Sequence, residues 1–124
     1  MPQNIKFNYL YRDAGNYKIF GNVVFSNPEY LSLVEIKDSL EKTFIQKLFF
    51  IAKQIELQEL FFEEFPLGDD ISFHEFNGIE ITEELPNDST KRTIREFIEL
   101  VELESSKGWK VFDPMERFFR FEKS

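Results

Sequence analysis

The chain has 124 residues, no cysteine and a formal net charge of −8 at pH 7. This length suits a single domain, so we expect residues 1–124 to form one domain. The lack of cysteine excludes disulfides and thiolate chemistry, and it is typical of a reducing, cytoplasmic compartment. Sixteen residues are Phe, so we expect aromatic rings to fill most of the core.

The negative charge is concentrated in the middle of the chain. Residues 54–90 contain eleven Asp or Glu and no Lys or Arg, whereas residues 1–53 carry seven bases and five acids. A domain that grips nucleic-acid phosphates normally carries a basic patch, so we expect no nucleic-acid partner. The carboxylates of residues 54–90 either stay hydrated and keep the protein dissolved, or form a negative surface that attracts a basic protein.

The sequence predicts no membrane-directed segment. No apolar run approaches the roughly 18 residues that a transmembrane helix needs. The first 13 residues lack the apolar stretch that a secretory signal peptide carries. We therefore expect a cytoplasmic protein with no membrane partner.

Alternating side chains predict a β-hairpin near the N terminus. Apolar and polar residues alternate over residues 5–12 and again over 17–25, which is the period of a half-buried strand. Residues 13–16 between them form a turn signal, because Gly and Asn tolerate positive φ. Pro28 ends the pattern, since proline cannot donate to a strand ladder.

Two capping boxes predict two helices. The sequence SLVE at 32–35 starts a helix that we expect from 33 to about 44, and TIRE at 93–96 starts a second one that ends near residue 106. Gly108 follows the second helix and provides a natural stop.

The middle of the chain predicts further strands. Residues 48–52, LFFIA, are continuously apolar, and their pattern fits either a buried strand or a continuing helix. We expect a strand near 58–63, a turn at 66–70, and another strand at 73–82 with a bulge or tight turn at Asn77-Gly78.

This order of elements predicts an α+β fold. We expect a two-layer domain, with a mostly antiparallel sheet of about four strands and two main helices packed on one face. Asp113 and Pro114 indicate the start of a short C-terminal helical tail, and we expect Trp109 to anchor this tail.

His74 is the only histidine, so any catalytic triad depends on it. The simplest interpretation is a partly exposed histidine on a strand or loop. Together with Asp69, Asp70 and Glu75 it provides donors for Mg²⁺ or Ca²⁺, which gives the alternative hypothesis of a small metal-dependent hydrolase. Glycine-rich phosphate loops, zinc-binding motifs and G-x-S-x-G are absent from the sequence, so we assign no cofactor, metal or catalytic residue.

Several stretches carry a resemblance to known proteins. The string FNYLYRDAGNYKIFGNVVFSNP at 7–28, HEF at 74–76 and TIREF at 93–97 resemble a group of small acidic bacterial proteins that share a YRDAGNYK-type hairpin. The likeness extends through about residue 103. It implies a bacterial, cytosolic, single-domain protein, and no activity or functional residue comes with it.

The charge pattern favours a non-enzymatic protein-interaction module that binds a basic protein partner through residues 54–90. Immunity and inhibitor proteins are examples of this type. The candidate contacts are the carboxylates of this stretch and one apolar anchor. They are Glu56, Glu59, Glu63, Glu64, Phe65, Asp69, Asp70, Glu83 and Glu84. We expect a monomer or a homodimer, the latter if an exposed edge strand pairs with a copy of itself.

Overall fold

The structure, a computed structural model, describes residues 3–61 and 72–112. Its strands are β1 (Asn4–Arg12), β2 (Lys18–Phe25), β3 (Phe49–Phe50) and β4 (His74–Thr82), and its α-helices are α1 (Leu33–Glu41) and α2 (Ile94–Lys107). A 3₁₀ helix, Ala52–Ile55, follows β3. The strands form one antiparallel sheet in the order β2-β1-β4-β3. The predicted α+β fold with about four strands and two helices is thus confirmed.

The N-terminal hairpin forms as the alternation predicts. Ile5 of β1 lies opposite Phe25 of β2, and the register runs without a break to Arg12 opposite Lys18. The Asp13 N–H donates to the Tyr17 carbonyl at 3.0 Å and closes the turn. The hairpin places β1 in the centre of the sheet and leaves β2 at one edge.

The predicted irregularity in β4 is also present. Gly78 has φ of 96°, a region that side chains with a Cβ avoid. The pairing of β1 with β4 shifts there, because Phe7 faces Ile79 whereas Tyr9 faces Phe76. This bulge lets β4 keep its apolar residues against β1 on both sides of the shift.

Both capping boxes are formed. Ser32 and Thr93 each accept from the backbone N–H three residues on, and Glu35 and Glu96 reach back to the cap residues. Helix α1 ends at Glu41, somewhat earlier than predicted, while α2 ends before Gly108 as expected. Among the described residues, no helix combines the length and apolarity needed to cross a membrane.

Two expectations for the middle of the chain need correction. Residues 48–52 contain a two-residue strand followed by the start of a 3₁₀ helix, so neither a full strand nor a helical continuation is right. The predicted strand near 58–63 is wrong where the chain is described, because residues 57–61 have no regular structure. Glu56, with φ of 55°, changes the direction of the chain. Side chains of the core then hydrogen-bond to the backbone of the segment that follows, and these bonds replace those of a strand ladder.

Other expectations fall on residues that the structure does not describe. These are the end of the strand near 58–63, the turn at 66–70 and the C-terminal tail from Asp113. Trp109 is described: its indole N–H donates to the Thr43 carbonyl at 3.0 Å, and its ring lies beside Phe44. It therefore fixes the chain that leaves α2 against the segment after α1.

Aromatic rings fill the core, as the composition predicts. Phe7 has no exposed surface and lies at the centre. Its neighbours, at ring-centroid distances of 5.2 to 6.4 Å, are Tyr9, Phe44, Phe50, Phe76 and Phe97. Such aromatic pairs add to stability beyond the burial of their area.

One buried ion pair closes the side of this core. The Arg92 guanidinium donates to both carboxylate oxygens of Asp88 at 2.9 Å, and their side chains are only 9% and 2% exposed. It also donates to the carbonyls of Ile55 and Glu56 at 2.8 and 3.0 Å, and it lies 5.2 Å from the centre of the Phe97 ring. The pair thus joins the 3₁₀ helix to the start of α2.

We predict that Arg92→Met lowers the free energy of unfolding by about 3–5 kcal/mol, because it leaves the Asp88 carboxylate buried without its cation. Urea denaturation measures this change. The matched control is Arg95→Met: Arg95 makes a half-exposed pair with Glu29, so its loss is expected to cost about 1 kcal/mol or less. Equal effects of the two substitutions would contradict the structural role of the buried pair.

Candidate functional site

Two separate parts of the acidic stretch line a common pocket of about 240 Å³. One part is the segment after the 3₁₀ helix, and the other is the loop before α2. Its lining combines apolar side chains with carboxylate, amide and hydroxyl groups. The lining residues are Tyr9, Asn22, Val23, Glu56, Leu57, Gln58, Asn87, Asp88 and Ser89.

Tyr9 fixes one wall of this pocket. Its side chain is 3% exposed, and its hydroxyl donates to the Gln58 carbonyl at 2.7 Å. Burial raises the pKa of the Tyr9 phenol to about 12, so the hydroxyl keeps its proton as a donor at neutral pH. The backbone at Gln58 is therefore held by a side chain from the centre of the sheet.

Asp88 lines the pocket but is committed to the fold. Burial raises the pKa of its carboxyl, but the hydrogen bonds from Arg92 and Thr90 outweigh that effect and leave the pKa below its usual value. Both of its oxygens accept from Arg92. Asp88 is thus an ionised structural group, while the exposed Glu56 on the opposite wall remains open to a partner.

Four of the nine predicted contact residues are described by the structure: Glu56, Glu59, Glu83 and Glu84. Glu56 and Glu83 are exposed, and neither forms an ion pair in the described part of the chain. Glu59 is half-buried and engaged in an interaction. The other five predicted contacts lie outside the described residues; they are Glu63, Glu64, Phe65, Asp69 and Asp70.

Glu84 is neutralised from within the fold. Its carboxylate lies against the Lys6 ammonium of β1, which also faces Glu80 at 3.8 Å. The hydrogen bond from Lys6 is the main reason that the pKa of Glu84 is below its usual value. Elsewhere on the sheet, Arg12 of β1 binds Glu75 at 3.1 Å.

Nothing in the sequence signals these pairs directly. Lys6 and Arg12 stand at polar positions of the predicted first strand, but their partners follow from the pairing of β1 with β4, which lies some 70 residues away in the chain. Part of the negative charge of residues 54–90 is therefore compensated by strand β1.

His74 differs from the expectation. It lies on a strand as predicted, but it is fully buried, so the expected partial exposure is wrong. Its Nε2 accepts from the Leu60 backbone N–H at 2.9 Å, which places the ring proton on Nδ1. Within the described residues, Nδ1 has no partner at hydrogen-bond geometry.

Burial in this aromatic surrounding lowers the pKa of His74 to about 4, and the Ser72 backbone offsets only part of that effect. The rings of Tyr11 and Phe61 lie 5.2 and 5.3 Å from the imidazole. His74 is consequently neutral at pH 7 and acts as an acceptor for the backbone of residues 57–61.

The donors proposed for a metal ion are not brought together in the described part of the chain. His74 uses Nε2 to hold Leu60, and Glu75 is bound to Arg12. Among residues 3–61 and 72–112, no group of three or more His, Asp or Glu side chains is arranged to hold a metal ion. Asp69 and Asp70 lie outside these ranges.

Sequence reasoning missed one exposed apolar residue in the acidic stretch. Leu85 is 82% exposed and directly follows Glu83 and Glu84. Its position before Pro86, in a predicted loop, was the available signal. The chain matches no protein-family model, no curated protein and no solved structure in comparisons of each kind, so charge and geometry carry the functional proposal.

We predict that acid destabilises the protein through His74. Between pH 6.5 and about 4 the unfolded chain binds a proton at this histidine while the folded chain does not, so stability falls as the pH decreases. The loss amounts to about 3 kcal/mol once the pH reaches 4.

Urea denaturation at several pH values measures this loss. His74→Gln keeps an acceptor for the Leu60 amide and removes the only histidine, so we expect its stability to change little between pH 6.5 and 5. An unchanged slope in the variant would show that carboxylates, and not His74, cause the acid sensitivity.

Proposed function

We propose that the protein is a non-enzymatic interaction module that binds a basic protein partner. The contact surface, here named the acidic surface, consists of Glu56 and Glu83 together with the sequence-predicted contacts Glu63, Glu64, Asp69 and Asp70. The observation that carries the proposal is the exposure of Glu56 and Glu83 without an ion pair among the described residues. No base within 54–90 is available to compensate them.

Internal compensation narrows this surface. Of the seven described carboxylates in 54–90, four face a cation of the fold: Glu75, Glu80, Glu84 and Asp88. The bases of β1 and Arg92 are thereby used within the protein. A partner would therefore encounter a weaker negative electrostatic field than the sequence alone suggests. This field would be centred on the pocket at Glu56 and on the end of β4.

An exposed apolar residue beside the charges favours a role in binding over the alternative that the carboxylates only stay hydrated and keep the protein dissolved. Leu85 is exposed next to Glu83, and a fully accessible leucine within an acidic loop provides area that a partner can bury. We propose Leu85 as an anchor in addition to the sequence-predicted Phe65. Charged groups then guide the encounter, and apolar groups slow dissociation.

The physical properties fit a partner with a cationic active or binding site. Aligned carboxylates raise the rate of association with a basic protein by tenfold to a thousandfold at low ionic strength, and they cover its positive groups after docking. This is how an immunity or inhibitor protein acts, and we propose that type of role in the cytoplasm for this chain.

The proposal includes a two-layer arrangement with both helices on one face of the sheet. Buried residues of α1 and α2, such as Ile36 and Phe97, belong to the same core cluster as Phe7 and Phe25 of the hairpin. Phe7 alternates along β1 with Lys6 and Asn8, whose side chains point to the opposite face of the sheet. The acidic surface would then lie at the rim of the domain.

A variant with four amides tests the acidic surface: Glu56→Gln, Glu63→Gln, Glu64→Gln and Glu83→Gln. The proteins that the wild type captures from a bacterial lysate at low salt would be identified and sorted by isoelectric point. We expect the variant to lose the basic proteins, with an association rate at least about tenfold lower for any purified binder.

A second variant removes the same number of negative charges elsewhere: Asp38→Asn, Glu41→Gln, Glu99→Gln and Glu102→Gln, all on α1 and α2. We expect it to retain the basic proteins, because its net charge matches that of the first variant while the acidic surface is intact. If both variants lose them equally, overall charge and not this surface governs binding. If neither loses them, the surface has no role.

A further inference from the structure

The two outer edges of the sheet are protected in different ways. At the β3 edge the chain folds back on itself, since Ile45 and Phe49 exchange backbone hydrogen bonds at 2.9 Å. At the β2 edge only the C-terminal end is covered. There the Asn87 side chain accepts from the Val24 N–H at 2.8 Å, and the Asn87 N–H donates to the Val24 carbonyl at 3.0 Å.

The rest of the β2 edge is open. Successive residues of a strand direct their N–H and C=O groups to opposite sides, so Lys18, Phe20 and Asn22 present these groups outward as Val24 does. In the described part of the chain, no residue hydrogen-bonds to these outward groups. Phe20 is also 64% exposed.

We propose that this open edge pairs with the same edge of a second copy of the chain. The pairing is antiparallel and centred on Phe20, so that the two four-stranded sheets form one continuous sheet of eight strands. Lys18 of each copy lies opposite Asn22 of the other. Three pairs of outward-facing residues then exchange six backbone hydrogen bonds.

The open stretch has the symmetry that self-pairing requires. It is bounded on one side by the turn at Asn16, where φ is 68°, and on the other by the bond of Asn87 to Val24. Seven residues, 17–23, lie between Asn16 and Val24. Of these, Lys18, Phe20 and Asn22 direct their backbone groups outward, and Phe20 is the midpoint. A two-fold axis through Phe20 therefore uses the whole stretch on both copies.

Charge favours a second copy over a basic partner at this edge. Lys18 is the only charged residue in the open stretch, and it would repel a basic strand. In the self-paired register each Lys18 faces a neutral Asn22, while the two Phe20 rings face each other and lose their exposed area. Asn22, at one end of the stretch, also lines the pocket at Glu56. The pairing uses backbone groups and no carboxylate of the acidic surface, so this proposal does not depend on the proposed function.

Disulfide trapping tests the register, because the chain contains no cysteine of its own. Directly opposed hydrogen-bonded residues have Cα atoms about 5.5 Å apart, which is within disulfide range. We expect Phe20→Cys to form a covalent dimer under mild oxidation. We expect an equimolar mixture of Lys18→Cys and Asn22→Cys to form the mixed dimer, which mass spectrometry distinguishes from either homodimer.

The same positions supply the controls. Lys18→Cys alone should cross-link poorly, because the two sulfurs are separated by four residues along the strand, or about 13 Å. Tyr30 is 80% exposed and lies outside the sheet. The variant Tyr30→Cys therefore measures cross-linking by random collision. The mixed pair leaves Phe20 in place, so its result does not depend on the loss of that ring.

Sedimentation of the full chain tests the association without a cross-link. We expect a dimer for the wild type and a monomer for Phe20→Lys, which puts like charges directly opposite each other; circular dichroism confirms that the variant is folded. A wild type that sediments as a monomer at every concentration would overturn the proposal. So would trapping at Phe20 no faster than at Tyr30, or a homodimer of Lys18→Cys that forms as readily as the mixed dimer.

Discussion

The buried pair of Arg92 with Asp88 is the interaction on which the rest of the structure depends. It links a loop, a 3₁₀ helix, the first turn of α2 and the edge of the aromatic core, none of which is joined by a strand ladder. A buried carboxylate and guanidinium are costly to remove from water. Their mutual hydrogen bonds, the bond from Thr90 and the two carbonyls offset that cost. The pair therefore fixes the position of the loop that contains Asp88 relative to Glu56.

Electrostatic organisation follows from this arrangement and from strand pairing. Lys6 and Arg12 of β1 neutralise carboxylates of the β4 region, which removes them from the outer field. Within the described part of residues 54–90, Glu56 and Glu83 are exposed without an ion pair, and both lie just beyond the end of a regular element. Folding thus pairs part of the negative charge of the middle of the chain with cations from other elements, and the proposed docking role uses the charge that stays unpaired.

Sequence patterns among neighbouring residues predicted the fold well. Contacts between residues that are distant in the chain could not be predicted in this way. The capping boxes at Ser32 and Thr93 and the strand alternation depend on residues a few positions apart, which is why the sequence reveals them. Whether His74 is buried depends on aromatic rings from β1 and from residues 57–61, and whether Glu84 is free depends on Lys6, 78 residues earlier. Periodicity carries no information on such contacts, so the ion pair of Glu84 was not predicted, and the strand near 58–63 was predicted wrongly where the chain is described.

The hydrogen bonds that Tyr9 and His74 make to the backbone have a consequence for how this protein can change by mutation. They hold Gln58 and Leu60 from the inside of the sheet, so the outer wall of the pocket takes its position from core residues. A substitution at either core position would displace Glu56 and Gln58 without touching them. The core and the proposed recognition surface therefore cannot change independently by mutation. A chain that acquires a new binding preference is expected to carry compensating changes in its central strand.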